Sequence, residues 1–162
     1  MSAPDVRAAL DALGVPYEIL PIDPAFADTA AFCARYGYPP ERSCNTIVVA
    51  SKKEPKRFGV CVVPATRRLD VNHAVRRVMD VPRASFATAE EMKEHTGMEV
   101  GGVTPLALPE GWPLYVDASL MALDWLVVGG GGRDFKVKTS PELFTRLGAQ
   151  VVEGLGIGPA TG

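Results

Sequence analysis

Apolar positions along this chain recur with two different periods. Between residues 5 and 13, Val6, Leu10 and Leu13 fall three or four positions apart, the spacing that gathers side chains on one helical face. Gly14 then supplies a stop. Pro16 leads into Tyr17-Glu18-Ile19-Leu20, which reads as a strand. Helical spacing returns over residues 28–36, with Asp28 or Thr29 able to cap and Ala31, Phe32 and Tyr36 facing inward; Gly37 and Pro39-Pro40 end it. Thr46 to Ala50 is a buried strand, and Phe58 to Val63 returns after the loop from Ser51 to Lys56, which makes a hairpin. Asp70 is placed to cap a helix running to Met79, with Val71, Ala74, Val75 and Val78 inward. Another helix is expected from Thr88 to Thr96, where Ala89-Glu90-Glu91-Met92 suits a first turn because carboxylates complement the amide end of the dipole. Strands follow at Leu114 to Asp117, Trp125 to Val128 and Phe135 to Lys138, and Pro141 opens a helix to Leu147. Glycine loops lie at Gly101-Gly102 and at Gly129 to Gly132. From Gly154 to Gly162 there is little to pack, and fraying is expected.

With no internal repeat and no linker, this order predicts a single α+β domain built on a mixed, mostly antiparallel and partly barrel-like sheet with flanking helices. Its bounds are taken as 1–155, with 156–162 a flexible tail. The length of 162 residues suits one core. Apolar residues at 47% and charged residues at 22% give an ordinary globular balance. No apolar run reaches the roughly 18 residues a bilayer span needs, and the start lacks the basic and apolar segments of a secretory leader. The 3 cysteines include no C-x-x-C, and with only 2 histidines no zinc site is expected. These features suggest a cytoplasmic protein with reduced thiols and no cofactor. The net charge of −2 runs against a protein that grips nucleic acid mainly through phosphates. DNA is therefore not an expected ligand, and any RNA contact should be local or assisted by a partner.

The candidate chemistry lies in the glycine loops. Without a Cβ, backbone can approach a ligand closely, and exposed amides can hold a carbonyl, a developing oxyanion or a phosphate. Plain tight turns are nevertheless the commoner use of such loops. Gly129-Gly130-Gly131-Gly132-Arg133-Asp134 has no GK[ST] ending, and a strand pattern follows where a nucleotide loop would need a helix. No G-x-S-x-G occurs either.

The run Thr96-Gly97-Met98-Glu99-Val100-Gly101-Gly102-Val103-Thr104-Pro105 resembles the T-G-x-x-x-G-G-[IV]-[ST]-P signature of the YbaK/EbsC family, the free-standing relatives of the prolyl-tRNA synthetase editing domain. Asn45-Thr46-Ile47-Val48-Val49, Val63-Pro64-Ala65 to Leu69-Asp70, Val116-Asp117 and Val128-Gly129-Gly130-Gly131 extend the likeness over about residues 40–150. The resemblance implies an editing-domain fold and metal-free hydrolysis of the ester joining a wrong, small amino acid, such as alanine or cysteine, to a tRNA of the proline type. Several members act in trans. The implied partner is the aminoacyl-tRNA 3′ end, with prolyl-tRNA synthetase the candidate protein companion. Gly101, Gly102, Val103, Thr104, Pro105, Asp117, Gly129, Gly130 and Gly131 are the implied substrate-binding residues. Amides of Gly101, Gly102 and the later loop would hold the carbonyl or oxyanion.

The sequence departs from the family at its hallmark lysine, which is Asn45 here. An amide cannot replace an ammonium as a clamp, but it can orient a water or a carbonyl. The serine that usually opens the later loop is Gly129, and the acidic residue after it is Lys136. If the usual lysine and acid face each other, Asn45 and Lys136 amount to a charge moved from one wall to the other. That reading places Lys136 in the pocket, within hydrogen-bonding reach of Asn45. Asn45, Thr46 and Lys136 are therefore the candidate catalytic residues. A rival reading is a binding module of the same fold that has lost catalysis. Cys44 reads as core filler because no histidine is placed to activate it. Lys52, Lys53, Lys56 and Arg57 form a basic hairpin tip that could touch an acceptor stem, although such runs are usually solvated faces.

Overall fold

A computed structural model describes residues 4–160. Helix α1 (Val6–Leu13) starts where the Asp5 carboxylate accepts from the Ala8 amide at 3.0 Å, and it ends at Gly14 with φ 71°. Helix α2 (Thr29–Tyr36) buries Phe32 and Cys33. Strands β2 (Cys44–Ser51) and β3 (Phe58–Pro64) form the expected hairpin, with Asn45 opposite Val63. The expected helix at 71–79 begins instead as a π turn, Val71–Val75, and continues as α3 (Arg76–Met79). Asp70 makes no capping bond there, because its carboxylate meets His73 Nδ1 at 3.1 Å. Helix α4 (Ala89–Thr96) carries a capping box between Thr88 and Glu91. A short α5 (Glu142–Arg146) follows the last long strand.

Among the described residues the strands form three sheets. In the smallest, β4 (Arg68–Leu69) pairs with β10 (Gly156–Ile157). A three-stranded antiparallel sheet sets β8 (Phe135–Thr139) between β1 (Tyr17–Pro21) and β7 (Leu126–Gly129). A five-stranded sheet runs β5-β2-β3-β6-β9, adding β5 (Ala84–Phe86), β6 (Leu114–Asp117) and β9 (Gln150–Val152) to the hairpin. β6 is parallel to both its neighbours, so the sheet is mixed, and no closed barrel forms among the described residues. Ser43 bridges Val127 at the start of β2 and stitches the two larger sheets together.

The two larger sheets are covered on both faces. Between them lies the main core: Cys44, Val48 and Val116 from one, Leu126, Val128 and Val137 from the other, with Met98, Leu106 and Phe144 filling the space. Burying side chains of this size contributes about 1.5–3 kcal/mol each. The outer face of the five-stranded sheet packs Val49, Cys61 and Tyr115 against Ala74, Val75 and Met79. The outer face of the smaller sheet packs Leu20 and Val127 against Phe32 and Cys33 of α2. Among the described residues no helix is long and apolar enough to cross a membrane.

The chain from Gly154 to residue 160 departs from the expectation that it has little to pack. Leu155 is fully buried, Gly156–Ile157 pairs with β4, and the Ala160 amide donates to Thr66 O at 2.9 Å. One apolar anchor and paired backbone hold a segment whose composition alone reads as loose. Residues 161 and 162 of the expected tail lie outside the described residues.

Candidate active site

The Ser43–Val127 bridge brings the start of β2 beside β7 and β8, and the two glycine loops close over this junction. Beyond α4, Thr96 Oγ1 accepts from the Met98 amide at 3.1 Å and turns the chain into the first loop. The loops then bond to each other: Gly131 N–H donates to Gly102 O at 2.6 Å, and Glu99 N–H donates to Gly131 O at 3.1 Å. A Cβ on Gly102 would stand 1.9 Å from Gly132 O, and one on Gly129 would stand 2.2 Å from Val103 O. Backbone lies directly on backbone here, which only glycine permits.

Beside the loops is a cleft of about 220 Å³ lined by Thr29, Cys44, Asn45, Thr46, Ile47, Gly101, Val103, Gly129 and Lys136. Lys136 sits on β8 opposite Leu20 on one side and Gly129 on the other. Its side chain shares a sheet face with Lys138, and Val137 takes the core face. Lys136 is only 5% exposed. Its ammonium donates to Gly101 O at 3.1 Å and lies 5.4 Å from the Phe32 ring centre. Burial lowers its pKa to about 8, opposed mainly by the Asp28 carboxylate. At pH 7 the charged form still leads by about ten to one.

Thr46 Oγ1 is buried and has no hydrogen-bond partner among the described residues. A hydroxyl both donates and accepts, and leaving one unpaired in the interior costs about 1–3 kcal/mol. Asn45 is half-buried and lines this cleft together with a larger apolar groove of about 570 Å³ beside α2, where Cys33, Ala34, Tyr38 and Ala65 form walls. Asn45 and Lys136 thus border one cavity, but no hydrogen bond joins them among the described residues.

Other candidate residues lie elsewhere. Thr104 is fully buried, and its Oγ1 accepts from the Leu106 amide at 3.3 Å, while Pro105 is buried beside it. Gly130 faces the Phe135 ring, and Gly131 faces Pro4 and Val6. Gly102 N–H donates to Glu99 O at 2.9 Å and Gly131 N–H to Gly102 O, so neither amide is free for an oxyanion. Gly101, Val103 and Gly129 are the loop residues that border the cleft. Asp117 is in a different place from the one expected. Its Oδ1 accepts from the Ser119 amide at 2.9 Å and hydroxyl at 2.7 Å, and its Oδ2 accepts from the Gly156 amide at 2.6 Å. These bonds make it a capping carboxylate in a separate hollow with Arg67 and Glu153. Cys44 belongs to the main core at 6% exposure, and burial pushes its thiol well above the usual range; Cys61 is pushed up to about 12.

Arg133 is the residue that sequence reasoning missed. Its Nε and Nη2 donate to Pro24 O at 3.2 and 2.9 Å, and its Nη1 donates to Val100 O at 2.6 Å and Asp28 Oδ1 at 3.1 Å. One guanidinium thereby ties the first glycine loop to the start of α2. Pro24 and Asp28, just before α2, are more than a hundred residues away along the chain and Val100 is 33 away, so no local pattern could have flagged it. Thr29, the first residue of α2, borders both cavities and was read only as a cap.

Fold and cleft define a small α+β domain that places a buried cation beside a cavity of small-molecule size. Residues 23–147 match the aminoacyl-tRNA editing domain family, and the protein belongs to it. The motifs from Asn45 to Val49 and from Thr96 to Pro105 lie inside the matched span. Among solved structures the chain is similar to the hypothetical protein APE2540, with 27% identity, a TM-score of 0.85 and coverage of 95% of this chain and 100% of that one. It is also similar to "a putative trans-editing enzyme for prolyl tRNA synthetase", with 25% identity, a TM-score of 0.80 and coverage of 94% and 95%.

Proposed function

We propose that this protein hydrolyses, in trans, the ester between a small amino acid and the 3′ end of a mischarged tRNA. The observation that carries this reading is that the buried Lys136 lines, with Asn45, Gly101 and Gly129, one cleft of about 220 Å³. Pockets for drug-sized ligands begin near about 300 Å³, so this cleft suits the acyl part of alanine or cysteine. In this reading the small volume admits a short side chain and rejects a longer one sterically.

Water attacks the ester carbonyl carbon, and the carbonyl electron pair moves onto oxygen. Lys136 commits one N–H to Gly101 O, and an ammonium has three donors. The other two are available to the developing oxyanion, in a site whose low polarity strengthens them. Thr46 and Asn45 position the water or the ester, and the terminal ribose hydroxyl of the tRNA is a second candidate for that help. Collapse of the intermediate breaks the bond to the ribose oxygen, which takes a proton, and the free amino acid leaves. The supporting family membership also makes prolyl-tRNA synthetase the candidate companion.

Asn45 favours a second reading, since β2 brings no cation to the cleft: a module that holds the tRNA end without turnover. Deacylation of Ala-, Cys- and Pro-tRNA of the proline type, with Lys136→Ala alongside, separates the two. The enzyme reading expects turnover of one or both small esters, sparing of Pro-tRNA and loss in the variant. A folded protein that binds these tRNAs and turns over none of them would leave the module.

A further inference from the structure

Four cations from three separate segments gather on an exposed face away from the cleft. Lys52 follows the end of β2, Arg76 and Arg77 begin α3, and Arg83 precedes β5. The Lys52 amide donates to Arg83 O at 3.2 Å, which fixes two of these segments together. Lys52, Arg76 and Arg83 line a hollow of about 250 Å³ with Asn72. An adjoining hollow of about 370 Å³ is lined by Arg76, Arg77, Asn72 and His73. All four cations are exposed, and none forms an ion pair among the described residues. Lys56, by contrast, is held by Glu91 at 2.8 Å, so the basic hairpin tip read from the sequence is not the unit. The protein as a whole carries a net charge of −2, which makes this concentration of unpaired positive charge local.

We propose that Lys52, Arg76, Arg77 and Arg83 form the surface on which the phosphate backbone of a tRNA acceptor stem rests. The choice of partner rests on the deacylase reading. The geometry adds two observations. Guanidinium groups match phosphate oxygens with paired donors, and two hollows sharing Arg76 suit successive phosphates better than one carboxylate. Asn45 and Lys52 are seven residues apart on and just beyond one strand, so at about 3.3 Å per residue roughly 23 Å separates cleft from patch. A short single-stranded 3′ end spans that distance while the duplex stays on the cations.

The test compares the wild type with Arg76→Gln/Arg83→Gln on two substrates. Binding of deacylated tRNA is measured against NaCl concentration, and hydrolysis is measured on an alanyl ester of adenosine, which has no stem. Each lost phosphate contact should flatten the log–log salt slope by about 0.7–0.9, so the double variant should lose about 1.5. Its affinity near 0.1 M salt should fall at least several-fold, while turnover of the adenosine ester is unchanged. Arg77→Gln alone, whose side chain makes no hydrogen bond among the described residues, should lose about half the slope change and serves if the double variant does not fold. Wild-type affinity and slope in the variants would overturn the surface, as would an equal loss in Lys56→Gln. A wild type that hydrolyses neither this ester nor Ala-tRNA of the proline type would end the deacylase reading, and the salt titration would still decide the surface.

Discussion

Arg133 and Lys136 approach the first glycine loop from the same short segment, yet they use their charge in opposite ways. The Arg133 guanidinium is saturated by two carbonyls and a carboxylate, and its side chain remains 30% exposed. Lys136 is almost wholly buried and has one acceptor, Gly101 O. The first arrangement is a brace, in which charge-assisted bonds hold two segments at fixed separation. The second is a charge kept where water cannot screen it, which disfavours folding and favours a ligand that brings negative charge. A cation near a site is therefore a candidate for chemistry when its donors are incompletely used, and proximity by itself says little.

The contrast is broken most forcefully at Lys136. Lys136→Ala removes the one charged side chain that lines the cleft among the described residues. On the proposed mechanism kcat for a small aminoacyl ester should fall about 10²–10³-fold, as for loss of an oxyanion donor. Steady-state deacylation with a thermal melt decides it: lost turnover in a protein at least as stable as wild type fits the contrast. Near-normal kcat would remove Lys136 from the chemistry.

Arg133→Gln should show the opposite balance. It loses bonds to Pro24, Asp28 and Val100, and for a partly exposed group this should cost about 1–3 kcal/mol of stability. Activity should drop by about tenfold, through looser placement of Gly101 and α2. Urea denaturation reads the first effect and kcat against KM the second. A melt unchanged from wild type would show that the brace is not one.

What the sequence disclosed divides along the same line. Periodicity found α1 and β8, and unbroken apolar runs found β2 and β3, which are buried along most of their length. The motif Thr96 to Pro105 marked the first glycine loop, and the resemblance set amides of both loops on one carbonyl. Strands β5 and β9 stayed hidden, being three residues each and paired through contacts distant in the chain. The assignment of Gly102 as an amide donor failed for a related reason. Whether an N–H is free depends on which carbonyl packs against it, and here that carbonyl belongs to Glu99. Asp117 shows the same limit, since its ligands Ser119 and Gly156 include one almost forty residues away. The sequence located Lys136 next to a loop, and burial then decided what the lysine is.

Burial also makes a stability prediction with a definite sign. Burial holds the Lys136 pKa at about 8 in the folded protein, against 10.5 for an ordinary lysine. Below pH 8 both states hold the proton, and the folded state bears the cost of a buried charge. Between those two values the unfolded chain holds more protons, so stability rises with pH. Lys136→Met should therefore stabilise the fold by about 1–3 kcal/mol at pH 7, and the gain should fade as pH passes from 8 toward 10.5. Urea midpoints at several pH values check it. A gain independent of pH would mean that packing, and not charge, is the source.

The smallest effect sharpens the comparison by coupling the two cations. Asp28 pairs with Arg133 and also raises the Lys136 pKa against the pull of burial. If the ammonium form is active, kcat/KM should fall on the alkaline side near pH 8, once the faster uncatalysed hydrolysis of the ester is subtracted. Asp28→Asn keeps a hydrogen-bonding side chain opposite Arg133 but removes the negative charge. The alkaline limb should then move to lower pH, with little change in the plateau rate at pH 6. A variant that merely loosened the Arg133 brace would lower the plateau and leave the limb in place. The direction of the limb therefore reports on electrostatics at Lys136, while the height of the plateau reports on the brace.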